Sequence, residues 1–115
     1  MDRRVATSLP TVILYGVGKA LTVECIRSAK AAQIAYRRVR HLQAACATLK
    51  MHTSPMVVAS AFLKSWDRTV LEEHAIRADA NVRWVSDIEH MDLFSIAEEI
   101  GTWATQCSRP ARRRA

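Results

Sequence analysis

The chain has 115 residues, half of them apolar and only three each Gly and Pro, which fits one modest hydrophobic core and excludes wholesale disorder. Its net charge of +6 conceals a division: residues 1–50 carry +7, residues 51–108 carry −5, and four arginines follow from Arg109 onward. A basic half and an acidic half neutralise each other on packing, so the high pI is weak support for a nucleic-acid partner.

Residues 1–9 read as an extended lead-in, with Thr7 or Ser8 able to cap a helix ahead of Pro10. The apolar run at Thr11–Val17 follows Arg3 and Arg4 as in a signal peptide, but Lys19 cuts it short and Glu24 comes soon after, which argues against export. No stretch approaches the roughly 18 apolar residues that a membrane helix needs. Thr11–Tyr15 is β-branched and aromatic and allows a short strand. Gly16 and Gly18 weaken a helix locally, so a helix starting near Lys19 costs less than one that starts at Pro10 and bends.

The dominant pattern runs from Leu14 to Leu49. Leu14, Gly18, Leu21, Cys25, Ser28, Ala32, Ala35, Val39, Leu42, Cys46 and Leu49 are separated by alternating steps of four and three. Such a heptad seam predicts one long helix facing another. Its small centre (Cys25, Ser28, Ala32, Ala35) admits a close partner backbone, and its length leaves part of it for a second molecule. Arg27, Lys30, Arg37, Arg38 and His41 fall on or near the opposite side of that helix. They form a candidate polyanion-binding face, which Arg112, Arg113 and Arg114 of the tail would extend.

Ser54-Pro55 reads as a new helix start. Met56, Ala59, Leu63, Trp66 and Val70 then repeat the three/four spacing, as the returning arm of a helical hairpin. The stripe changes phase at Leu71, Ala75, Ala78 and Val82, and Thr69–Glu72 fits a capping box, so a kink is predicted near Asp67–Thr69. Asn81 marks a break, and Val82–Val85 is loop or a short extended piece. Ser86–Glu89 is a second capping-box match. A final helix capped by Asp92 would bury Leu93, Ile96, Ala97, Ile100, Trp103, Ala104 and Cys107. The fold expected is therefore all-α, a small helical bundle in a single domain over residues 1–108 with a disordered basic tail at 109–115.

Chemistry is harder to find. Gly16-Val17-Gly18-Lys19 lacks the first glycine and the Ser/Thr of a phosphate loop, and a helix bend is the better reading. His41, Cys46 and His52 do not share one helical face, so no metal site is expected. Glu72-Glu73-His74 and the pair Asp87 and His90 lack the mutual geometry of a catalytic group. No catalytic residue and no cofactor is expected. Three cysteines, an odd number, fit a reduced cytoplasmic protein, with Cys25 and Cys46 as inert buried thiols. Trp66 and Trp103 are expected in the core, while Trp84 is a candidate partner anchor. The function expected is that of a non-enzymatic interaction protein (an adaptor, inhibitor or regulatory subunit) working through helix–helix contacts with a protein partner or with itself as a homodimer. The alternative is a nucleic-acid-binding regulator.

Overall fold

The computed structural model describes residues 10–86 and 91–107. It overturns the all-α helical bundle. Four strands alternate with four helices: β1 (Thr11–Tyr15), α1 (Lys19–Ala31), β2 (Ala35–Val39), α2 (Leu42–Met51), β3 (Met56–Ser60), α3 (Ser65–Arg77), β4 (Asn81–Val85) and α4 (Met91–Cys107). The strands form one parallel sheet in the order β2-β1-β3-β4.

The two central strands explain the misreading. Thr-Val-Ile-Leu-Tyr of β1 and Met-Val-Val-Ala-Ser of β3 are buried at every position, because helices cover both faces of a parallel sheet. Such strands show a continuous apolar run rather than a period of two, and a run of five is compatible with helix. Alternate residues feed two cores. Val12, Leu14, Met56 and Val58 pack with Leu21 and Cys25 of α1 and with Ile96, Ile100 and Trp103 of α4. Ile13, Tyr15, Val57 and Ala59 pack with Ala45 and Leu49 of α2 and Leu71 of α3.

The Leu14–Leu49 seam is thus divided among four elements and two faces. Leu14 lies in β1, Leu21, Cys25 and Ser28 in α1, Ala35 and Val39 in β2, and Leu42, Cys46 and Leu49 in α2. Ala32 caps α1. Cys25 and Cys46 are buried on opposite sides of the sheet and form no disulfide. The helical hairpin fails in the same way, because Met56–Ser60 is a strand and Ser54 is a left-handed turn residue (φ 49°) rather than an N-cap. No kink occurs at Asp67–Thr69, where α3 runs unbroken from Ser65. The strand at Thr11–Tyr15, the helix start at Lys19, the extended piece at 82–85 and the final helix are found. Ile96, Ile100, Trp103 and Ala104 are buried in that helix. The capping box at 86–89, His90 and the basic tail lie partly or wholly outside the described residues.

β2 is an edge strand whose Tyr36, Arg37 and Arg38 are exposed. Charges there discourage pairing with a further strand, and they also hide the strand from any search for buried alternation.

α1 and α3 end alike. Ile34 N–H donates to Ala29 O (3.0 Å) and Ala80 N–H to Ala75 O (2.8 Å), each across a left-handed residue, Gln33 (φ 59°) and Asp79 (φ 58°). Glycine normally fills that position because a Cβ is penalised there. Gln33→Gly should therefore raise the stability of the chain by about 1 kcal/mol in denaturant titration. Asp79→Gly should gain less, because Asp79 also accepts a hydrogen bond from the Ser54 hydroxyl (3.1 Å).

Candidate functional site

In this strand order the chain leaves β1 towards β2 through α1 on one face, and leaves β3 towards β4 through α3 on the other. The connections after β1 and β3 therefore diverge at the carboxyl edge, where open α/β sheets hold their ligands. Gly16-Val17-Gly18-Lys19 lies at this place. It is the strand-to-helix turn after β1, with Gly18 as N-cap of α1, rather than a helix bend.

Gly16 takes φ 72°. A Cβ added there would stand 3.3 Å from Leu63 Cδ2 and 3.6 Å from Ser60 Cβ. Leu63, on the connection after β3, therefore rests against Gly16 at the mouth of the crevice between the two turns. Beside it, towards β2, a cavity of about 210 Å³ opens between Val17, Thr22, Arg38 and Arg40. The Thr22 hydroxyl donates to Val17 O (3.2 Å) and braces the turn.

The connection after β3 and the helix it enters present large apolar groups to solvent. Phe62 is 64% exposed, Trp66 72% and Ile76 78%. Trp66 and Ile76 flank an otherwise polar outer face of α3, while Leu71 and Ala75 are buried on its inner face. α3 therefore carries two large apolar side chains on the face opposite its buried one. Trp84, on β4, is half-buried and carries the Arg68 guanidinium 4.7 Å above its ring, a cation–π contact that occupies it within the chain. Trp66 is the exposed tryptophan instead, and it is not in the core.

Tyr15 closes the carboxyl end of β1. Burial first, then the negative Asp67 in the first turn of α3 and Cys46, push its phenol above the ordinary value, so it stays protonated. Burial likewise raises the Cys46 thiol, against a smaller opposing effect of Lys50. The basic residues do not share a face. Arg27 and Lys30 lie on α1, His41 precedes α2, and Arg37 and Arg38 point to opposite sides of β2. Arg112, Arg113 and Arg114 lie outside the described residues. Among the described residues, no group of three His, Cys, Asp or Glu side chains is placed to hold a metal ion. No helix there is long and apolar enough to cross a membrane.

A turn of Gly-x-Gly between an apolar run and a helix could have signalled the carboxyl edge. That signal needed the second strand, β3, to be recognised as well. The exposed pair on α3 had a signal too, because Trp66 and Ile76 fall away from Leu71 and Ala75 on a helical projection.

No protein-family model matches the chain, and no curated protein matches it in sequence. Among solved structures it is similar to a de novo designed Rossmann fold protein, with a TM-score of 0.57 at 16% identity over 85% of this chain and 95% of that one. That likeness concerns the fold alone: a doubly wound α/β sheet of the Rossmann type.

Proposed function

We propose that this chain is a non-enzymatic binding module that acts by protein contact, through the outer face of α3, and that a second copy of the chain is its occupant. The observation that carries this reading is the pair of exposed side chains, Trp66 and Ile76, on a helix whose inner face is already buried. Trp is enriched among interface hot spots, and two large apolar side chains in water on one helix face offer a partner apolar area to cover. The Leu63 contact on Gly16 also narrows the crevice where a small ligand would enter, which favours a surface over a pocket.

A second copy fits by symmetry. Trp66 and Ile76 lie ten positions apart on α3, about 15 Å along the axis. Two α3 helices paired antiparallel through their outer faces, about a two-fold axis at the level of residue 71, bring each Trp66 towards the partner's Ile76. Both contacts form at once, as an isologous interface requires. The three cysteines form no disulfide, which fits a reducing compartment, and we assign the protein to the cytoplasm on that ground.

Sedimentation equilibrium tests the proposal. The native chain should show a mass that rises from monomer to dimer with concentration, unchanged by added duplex DNA. Ile76→Glu should remain monomeric with an unaltered circular dichroism spectrum. A native chain that stays monomeric at every concentration, or an Ile76→Glu dimer as tight as the native one, would contradict it. A mass that shifts only with DNA and collapses steeply with salt would favour the nucleic-acid reading instead.

A further inference from the structure

We propose that β2 is a docking edge for an acidic extended segment of a partner protein, which adds to the sheet as a fifth strand. The α3 contact plays no part in it. β2 is an outer strand, paired on one side to β1. Ala35 N–H donates to Pro10 O (3.0 Å), on the β1 side. Along a parallel ladder alternate residues bond to the same neighbour, so Arg37 and Val39 also bond towards β1. Tyr36 and Arg38 turn their backbone N–H and C=O groups to the open side. Such a row is a template for a further strand.

The opposite edge is not open in this way. On β4 the Arg83 guanidinium donates to Trp84 O (2.7 Å) and covers an outward carbonyl. On β2 the arginines are turned to solvent instead: Arg37 and Arg38 are exposed, as is Arg40 just beyond the strand. Among the described residues none of these three has an ion-pair partner.

Charge decides the class of partner. Between Glu24 and Asp67 the chain has seven Lys or Arg and no Asp or Glu. That acid-free stretch runs from the middle of α1 through β2, α2 and β3 to the start of α3, so the β2 end of the sheet is basic. The same arginines repel a second β2. The β4 strand of another copy brings Arg83 and no acid, so neither outer strand of a second copy suits this edge. A segment bearing carboxylates does. Arg37 and Arg38 project to opposite faces of the sheet, so the segment needs acids at two successive positions, one for each face. A nucleic acid would answer the charge, but it would not pair the Tyr36 and Arg38 amides and carbonyls in register as a strand does.

The site is tested on the full ¹⁵N-labelled chain with the peptide acetyl-TVEEVT-amide, and with the TVQQVT and TVKKVT peptides as controls. The acidic peptide should shift the β2 amide signals to saturation and slow hydrogen exchange at Tyr36 and Arg38. The amides of Arg37 and Val39, already bonded to β1, should change little. TVQQVT should bind about tenfold more weakly and TVKKVT more weakly still. Arg37→Gln and Arg38→Gln, both at exposed positions, should each cost about threefold. Arg37→Glu combined with Arg38→Glu should reverse the preference to TVKKVT. Three results would overturn the proposal. The first is equal binding of the three peptides, which removes the arginines from the site. The second is a shift without protection at Tyr36 and Arg38, which is ion association with no added strand. The third is a thymidine oligonucleotide that binds this edge more tightly than the acidic peptide, which makes it a polyanion surface.

Discussion

Leu71→Ala is expected to lower the stability of the chain by about 3 kcal/mol, whereas Trp66→Ala and Ile76→Ala on the same helix should each change it by less than about 0.5 kcal/mol. Leu71 is fully buried against Ile13, Val57 and Ala59 of the sheet, and removing its isobutyl group leaves a cavity that the strands cannot collapse to fill. Trp66 and Ile76 point away from that core. Their replacement removes apolar surface that is in water in the single chain. The contrast should reverse in an association experiment. There Trp66→Ala and Ile76→Ala should weaken the dimer strongly, while Leu71→Ala should leave the interface affinity of the folded fraction unchanged. Denaturant titration at low protein concentration isolates the first effect, and concentration-dependent sedimentation isolates the second. Equal destabilisation by all three substitutions would mean that the outer face of α3 is also core.

The second large effect is expected at the far edge of the sheet. Arg83→Ala should cost about 2 kcal/mol and make the chain self-associate through β4. The Arg83 Nε lies 2.8 and 2.9 Å from the two carboxylate oxygens of Glu99, Nη2 donates to the Ser95 hydroxyl (3.2 Å), and Nη1 donates to Trp84 O (2.7 Å). These bonds tie β4 to α4. They also guard an edge, by the parity of the parallel ladder. Asn81 N–H and Val85 O bond towards β3, so the backbone of Trp84 points away from β3, towards the open side. The guanidinium therefore covers a carbonyl that a visiting strand would use. Since Glu99 is partly exposed (42%), solvent screens the ion pair, and the packing and hydrogen bonds carry most of the cost. Glu99→Ala should reproduce the loss of stability, but less of the association, because Arg83 can still reach Trp84 O. Light scattering on both variants separates the two roles.

The β-branched run at Thr11–Tyr15, the start at Lys19 and the last helix are local signals, set by a few residues each, and they appear in the structure. The sheet is not a local property. β1 and β3 are central strands, buried on both faces, and lack the alternation that marks a half-exposed strand. β2 carries Tyr36, Arg37 and Arg38 outward and lacks apolar alternation for the opposite reason. With β2 and β3 silent, steps of three and four among abundant small residues passed continuously from one helix into the next. The seam was a coincidence of α1 and α2, each amphipathic in its own right. α3 misled differently, because apolar residues on both of its faces blurred the phase and suggested a kink. The candidate site followed the fold: Gly16 and Gly18 acquire meaning only once β3 and Leu63 stand beside them.

The antiparallel α3 contact can be tested directly by pairing Trp66→Cys and Ile76→Cys chains, each in a Cys107→Ser background that removes the half-buried native thiol. Cys25 and Cys46 are buried and should stay unreactive. An equimolar mixture of the two chains under mild oxidation should yield the mixed disulfide in large excess over either symmetric one, since the two-fold arrangement sets position 66 against position 76 of its mate. A statistical mixture of disulfides, or none, would contradict self-association through the outer face of α3.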